Sequence, residues 1–341
     1  DRLDRAGDLV TPHVVRMAAT LGLAEHVAAG ADDVATLAAA AGVDPARLAR
    51  VLPLLVGADV LTMTGDRVGL GELGVVLAES EHATDELRHS SLEGRTALAA
   101  AGLVDFVRSG VAPHDAVFGT DFWTGVRADA AGRDNFEHEL AQWARHWVPL
   151  VADRLVALVV AERSPEGSLD GAAAPCIADI GGGCGDLLVA LGERIPGANG
   201  VLVELDEQLP AARRRVGESA AVDRIELVAG DFFGTWPEAD VYVLAQVVHD
   251  WPDEAATAIL RRAGEALRAD PTRRVVIVER DARHADASDV QMLLLFASAE
   301  RSDTAMRTIA ASAGIDLAPA VPIGAGFVAW VGRVHSRAVG R

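Results

Sequence analysis

Apolar positions recur at helical spacing through the first part of the chain and at strand spacing through the last. Residues 12–29 (PHVVRMAATLGLAEHVAA) carry apolar side chains three and four apart and stop at Gly30, which predicts one helix. DDVATLAAAAGV and DPARLARVLPLLVGADVL follow as helix, turn, helix, and TMTGDRVGL reads as two short strands closed by Gly65-Asp66. This order predicts a winged helix-turn-helix over residues 1–95. Residues 96–160 read as helical. From residue 175 the period changes. PCIADI, NGVLVEL, IELVAGD, DVYVLAQVV, RRVVIVE and GFVAWVGRV are apolar strands separated by helices, and a helical stretch is predicted over 285–313. Such alternation builds a parallel α/β sheet, which binds ligands beyond the carboxyl ends of its strands.

Charge removes the function that a winged helix first suggests. The chain has 50 acidic and 31 basic side chains, all the latter Arg, for a net charge of −19. Residues 1–95 hold 15 acidic and 8 basic groups, and the helix near 45–56 offers only Arg47 and Arg50. Phosphate contacts need the opposite sign, so nucleic acid and anionic membrane are not expected partners. An aliphatic helical module is expected instead to bury its surface against a second copy, as a homodimer. The opening DRLDRAGDLV has no apolar stretch of a secretion signal, and no run reaches the ~20 apolar residues of a spanning helix. Cys176 and Cys184 are too few for a disulfide framework. A cytoplasmic protein with reduced thiols is expected.

The chemistry gathers at strand ends. Asp179-Ile180-Gly181-Gly182-Gly183-Cys184-Gly185-Asp186 closes the first strand of the α/β half and opens a helix. Gly181 and Gly183 let backbone approach a ligand, but the spacing departs from the G-x-G-x-x-G of dinucleotide binding. Asp179 just before them suits a positively charged ligand, such as the amino and sulfonium groups of S-adenosylmethionine. Glu204-Leu205 ends the second strand, where a carboxylate can accept both ribose hydroxyls. Asp231-Phe232 follows the third, an acid for an adenine amino group and a ring to pack on the base. Three acids at three consecutive strand ends point to a nucleoside.

The fourth strand runs into His249-Asp250-Trp251-Pro252. With DIGGGCGD, VLVEL, GDFF, VHDWPDEAATAILRRAGEAL and VIVER, the sequence here resembles the plant-type O-methyltransferases and their bacterial natural-product branch, over nearly the whole chain. The resemblance implies a Rossmann-like class I methyltransferase sheet of seven mostly parallel strands over residues 96–341, with 96–160 as helical linker and substrate cover. A dimerising winged-helix domain precedes it over 1–95. It implies S-adenosylmethionine as cofactor and His249 as general base, flanked by Glu279 of VIVER and Glu300 of SAERS. In that second loop the family's usual glycines are replaced by Ala and Ser. Ala245 stands four positions before the histidine, where relatives often place a cofactor-touching Lys, Ser or Arg.

An imidazole of pKa ~6.5 taking a proton from a phenol of pKa ~10 works uphill by about 5 kcal/mol, so an acid beside His249 should raise its basicity, and Glu279 is expected to hold the ring. Six of the fifteen aromatic residues lie within 118–147, as core or as the wall of an aromatic pocket. Trp123, Phe136 and Trp143 are candidates for that wall, with Met292 and Phe296 from DVQMLLLF. No His, Asp and Glu spacing suits a metal, and none is expected. The expected acceptor is a small polyketide-derived phenol or aryl acid, such as an orsellinic-type ring, free or tethered to a carrier. Two alternatives stay open: a hydroxylase or decarboxylase on the same fold, and a winged-helix regulator whose α/β half senses a small molecule.

Overall fold

The computed structural model describes residues 7–8, 10–128, 130–160, 174–284 and 287–334. The chain divides into two compact units, residues 1–100 and 101–341. Residue 95 falls inside the helix Leu92–Ala99, and the division comes after that helix.

In the first unit, α1 (Thr11–Thr20) and α2 (Leu23–Ala28) replace the single helix expected over 12–29. Gly22 between them has φ +61°, a left-handed conformation that ends one helix and starts the next. The apolar period runs on through this break, which is why the pattern alone reads as one element. Asp33 accepts from Ala35 N and Thr36 N to open α3 (Val34–Ala40), and Asp44 accepts from Arg47 N to open α4 (Pro45–Gly57). The hairpin β1 (Leu61–Thr64) and β2 (Arg67–Leu70) pairs Leu61 with Leu70 and Thr64 with Arg67 around Gly65-Asp66. Helices α5 (Glu72–Glu79), α6 (Glu81–Leu87) and α7 (Leu92–Ala99) complete the unit. Leu23, Leu37, Leu55, Leu61 and Leu77 bury their side chains in its core.

The second unit opens with α8 (Leu103–Ser109), α9 (Pro113–Phe118), α10 (Phe122–Ala128) and the long α11 (Ala130–Val160). The sheet follows as β3 (Cys176–Ile180), β4 (Asn199–Glu204), β5 (Ile225–Ala229), β6 (Val241–Ala245) and β7 (Arg274–Arg280), all parallel, in the order β5-β4-β3-β6-β7. Their connections include α12 (Asp186–Arg194), α13 (Leu209–Gly217) and α14 (Asp253–Arg268). The helical stretch expected over 285–313 is two helices, α15 (Ala287–Phe296) and α16 (Asp303–Ser312), separated where Ala297 turns to φ +52° and Ser302 caps the second. Two short strands missing from the sequence reading come next, β8 (Ile315–Leu317) and β9 (Val321–Gly324). They are too brief to show a period, and both are recruited by β10 (Phe327–Val334), which pairs antiparallel with β7, β8 and β9. Among the described residues the sheet therefore has eight strands, five of them parallel, in place of the seven expected.

The sheet is buried on both faces. One face packs Tyr242, Leu244, Ile277 and Trp330 with Ile259 and Leu260 of α14, and the other packs Ile177, Val243 and Val276 with Val151 and Leu155 of α11. The strand order reverses between β3 and β6, so the carboxyl ends of those strands flank the crevice where such sheets bind ligands. Among the described residues no helix is long and apolar enough to cross a membrane. Trp330 is 1% exposed and donates its indole N–H to Asp303 Oδ1 (2.9 Å). Trp330→Ala is expected to cost about 3–5 kcal/mol of stability in urea denaturation, through the cavity left in the core.

Candidate active site

At the end of β3 the chain turns through Gly181 (φ +72°), Gly182 and Gly183 (φ +56°) into α12. Gly181 N donates to Val203 O, which fastens the turn to β4. A methyl group on Gly182 would lie 2.4 Å from Leu202 Cδ1 and 2.5 Å from the Asp179 carboxyl carbon, so a side chain here must displace both. Asp179 is 1% exposed, and among the described residues its carboxyl oxygens lack a side-chain hydrogen-bond partner, with only the Leu188 backbone N–H favouring its charged form. Burial, and then the charge of Glu204, pushes it up to about 7. Glu204 ends β4 and accepts from Gly183 N (2.9 Å) and from Leu205 N (2.7 Å), so it braces the glycine turn from the neighbouring strand. Asp231 is exposed beyond β5 and accepts from Phe233 N (2.8 Å). The Phe232 ring reaches back to Gly181, within 3.2 Å of where a Cβ would stand, and meets Trp251 edge-on at 5.6 Å. Ala245 is the last residue of β6 and its side chain packs with the α11 face of the sheet.

Beyond Ala245 the strand ends abruptly. Gln246 has φ +56°, an uncommon conformation for a residue with a side chain, and Val248–Asp250 form one tight helical turn. His249 on this turn is 6% exposed. Its Nδ1–H donates to Glu300 Oε1 (2.9 Å), while Glu279 Oε2 lies 3.6 Å from the same nitrogen. The expectation that Glu279 holds the ring is therefore corrected. Glu279 Oε1 accepts from Val248 N (2.8 Å) and His249 N (3.3 Å), so it holds the turn, and Glu300 holds the imidazole. Asp250 Oδ1 stands 3.4 Å from His249 Nε2. Burial works against a charged imidazole, but Glu279, Asp250 and Glu300 outweigh it and push His249 up to about 10. Burial raises Glu279 to about 7 and Asp250 to about 6, each opposed by the charge of His249. His249, Glu279 and Glu300 bring ligand-type atoms within 4.8 Å of one another.

The aromatic candidates divide into two groups. Phe122 meets Trp123, Phe136 and Phe296 edge-on at 5.1–5.7 Å, and Trp123 lies nearly parallel to Phe296 (5.5 Å) and Trp251 (6.5 Å). Met292 is buried one helical turn before Phe296 on α15. Trp143 belongs elsewhere: it is 40% exposed, lies beside Phe327 and under the Arg280 guanidinium, and donates its indole N–H to Gln246 Oε1 (3.4 Å). Gln246 Nε2 donates in turn to Glu279 Oε2 (3.3 Å), so Trp143 reaches the imidazole cluster through Gln246.

Residues 101–316 match the O-methyltransferase domain family. The chain belongs to that family. Over 93% of its length it is 34% identical to the 2,7-dihydroxy-5-methyl-1-naphthoate 7-O-methyltransferase of Streptomyces carzinostaticus, covering 92% of that protein. It is also 33% identical to the aclacinomycin 10-hydroxylase of Streptomyces purpurascens, over 93% of this chain and 84% of that one. Among solved structures it is similar to an O-methyltransferase from neocarzinostatin biosynthesis in complex with S-adenosylmethionine and 2-hydroxy-5-methyl naphthoic acid. That likeness has a TM-score of 0.78 and 32% identity, and covers 97% of this chain and 98% of the other.

The protein is an S-adenosylmethionine-dependent O-methyltransferase, and its glycine turn fits that cofactor. The buried Asp179 carboxyl suits a cationic group, and the bare backbone of Gly181–Gly183 suits a close approach. Three residues of the imidazole site lay beyond sequence reasoning. Gln246 carries no motif, and only its conformation marks it. Trp251 and Arg301 sit inside recognised motifs, but their roles are long-range: Arg301 donates to the carbonyls of Val248 and Trp251 and to Asp253. Gly182→Ala is expected to cost about 1–3 kcal/mol in thermal or urea unfolding, because the added methyl must displace Asp179 and Leu202.

Proposed function

We propose that the enzyme transfers a methyl group from S-adenosylmethionine to a hydroxyl of a small aromatic natural product, with His249 as general base. The observation that carries this reading is a buried imidazole held by Glu300 through Nδ1, at the same end of the sheet as the buried Asp179. Bound S-adenosylmethionine supplies an electrophilic methyl group on a positively charged sulfur. The chain's part is then to hold the acceptor oxygen in line and take its proton. Glu204 and Asp231 are assigned to the nucleoside hydroxyls and base, with Phe232 packing on the ring system and Gly181, Gly183, Leu205 and Ala245 supplying backbone walls. Trp123, Phe136, Met292 and Phe296 are assigned to the acceptor, and Trp143 to its margin through Gln246. The naphthoate relatives favour an aryl acid or phenol as acceptor, free or carrier-borne.

A phenol of pKa ~10 matched to an imidazole raised to about 10 makes proton transfer nearly level, in place of the ~5 kcal/mol climb that an ordinary histidine faces. The cost is that the imidazole starts protonated at neutral pH. A base of this kind works only after losing its proton, so kcat/KM should climb with pH through the neutral range and level off on the alkaline side. A positive charge bound nearby pulls that limb downward. Glu279→Gln removes one of the charges that hold the proton, and its limb should move to lower pH. A profile flat from weakly acid to alkaline pH would contradict the base assignment.

His249→Ala should keep S-adenosylhomocysteine binding and lower kcat by about 10²- to 10⁴-fold. Glu204→Ala should lose most of that binding in calorimetry, and equal binding by the two would count against the nucleoside assignment. The product decides between relatives: a mass increase of one methylene supports methyl transfer, and one of a single oxygen atom supports the hydroxylase. The reading calls for no metal, because the Nδ1 edge of His249 is engaged with Glu300. Activity should survive dialysis against a chelator, and recovery on adding a divalent cation would overturn that part.

A homodimer belongs to the same proposal. In the second unit Val104, Val107 and Val111 are 58%, 81% and 46% exposed, apolar positions that a second copy would cover. Light scattering after size exclusion should give twice the chain mass, and a monomer at micromolar concentration would contradict it.

A further inference from the structure

The segment joining α15 to α16 ties the helix that bears Met292 and Phe296 to the imidazole. Ala297 leaves α15 at φ +52°, a conformation that costs a residue with a side chain about 1 kcal/mol or more and persists only where its surroundings hold it. Four residues of the segment and its neighbouring helix do the holding. Ser298 Oγ donates to the Trp251 carbonyl (3.0 Å). Glu300 donates its backbone N–H to Asp289 Oδ1 (2.9 Å), in the first turn of α15, while its carboxylate accepts from His249 Nδ1 (2.9 Å). Arg301, 7% exposed, donates to the Val248 carbonyl (2.8 Å), the Trp251 carbonyl (2.6 Å) and Asp253 Oδ1 (2.9 and 3.0 Å). The turn carrying His249 is thus gripped on one side by Glu279 from β7 and on the other by this segment.

We infer that Asp289 and Arg301 are positioning residues: Asp289 sets Glu300 against the imidazole, Arg301 fixes the turn that bears it, and α15 thereby governs the geometry of the Glu300–His249 bond. The chemistry of each residue fits its task. Glu300 can hold the ring only if its own backbone is held, and Asp289 accepts the one backbone N–H that orients it. The guanidinium fork of Arg301 meets two carbonyls and a carboxylate at once, which the single ammonium of a Lys cannot reproduce. The groups facing His249 are Glu279 from β7, Asp250 on its own turn and Glu300 from the segment, with the Arg301 cation behind the Val248 carbonyl. Loosening Asp289 or Arg301 therefore withdraws Glu300 and leaves the other two acids in place. An acceptor that presses on Met292 or Phe296 would act on the same bond through α15. The kinetic part of this inference rests on His249 being the base, and its structural part does not.

The test is nitrogen NMR of histidine-labelled enzyme saturated with S-adenosylhomocysteine, with the His249 signal assigned by its absence in His249→Asn. Wild type, Asp289→Ala, Asp289→Asn and Arg301→Lys are compared by titration and by kcat. In Asp289→Ala and Arg301→Lys the His249 titration should move down by about one pH unit, and kcat on the alkaline plateau, where the imidazole is unprotonated in every variant, should fall about tenfold or more, with S-adenosylhomocysteine binding within about twofold of wild type. Asp289→Asn keeps the accepting oxygen and should restore most of both. Because Asp289 is only half-buried, its variants remain informative where Arg301→Lys fails to fold. An unchanged His249 titration in Asp289→Ala that binds S-adenosylhomocysteine normally overturns the inference. A shifted titration with unchanged plateau kcat keeps the positioning role and removes His249 as base.

Discussion

Three carboxylates crowd one nearly buried imidazole, and the charge of each side opposes what burial does to the other. A buried carboxylate is driven to take up a proton and a buried imidazole to give one away. Here each corrects the other: His249 opposes the rise of Glu279 and Asp250, and the acids keep a proton on His249 that burial would remove. Glu279, Asp250 and the imidazole are coupled through their charges, and their titration belongs to the group. The fold around it follows from that demand. β6 and β7 must be neighbours for Glu279 to reach the His249 turn, and the segment after α15 must bend sharply for Glu300 to arrive opposite. Gln246 and Ala297 take left-handed conformations at those two points. Both are local costs at a functional place, held by hydrogen bonds from several elements.

The other end of the crevice obeys the opposite logic. Asp179 is buried and, among the described residues, has no side-chain partner of opposite charge, an environment that suits a positively charged ligand. An acidic chain with Asp179, Glu204 and Asp231 at adjacent strand ends presents a negative cleft, which draws a cationic ligand and repels a pyrophosphate.

Much of this was legible in the sequence because it is local. The strand-end acids, the glycine turn and the HDW stretch each announce themselves within a few residues, and alternation of strand and helix announces the sheet. What stayed hidden depends on partners far along the chain. Glu279 and Glu300 were both named, yet which one holds the ring is set by a contact across 51 residues that no spacing reveals. The apolar period across Leu21 and Gly22 conceals a helix break, because the left-handed Gly22 turns the chain without interrupting the pattern. β8 and β9 exist only because β10 offers them an edge, and Trp143 parts from the other aromatics because Gln246 turns outward to meet its indole.

The central claim is that His249 removes the acceptor's proton, and absorbance reads this without turnover. A hydroxynaphthoic acid probe is added to the enzyme–S-adenosylhomocysteine complex of wild type and of His249→Ala, and its ionised band is followed as pH is raised. The account predicts that the band appears on wild type at a pH well below that of the free probe, and on the variant only near the free value. The same ionisation in both proteins, with the probe bound equally by each, would contradict it.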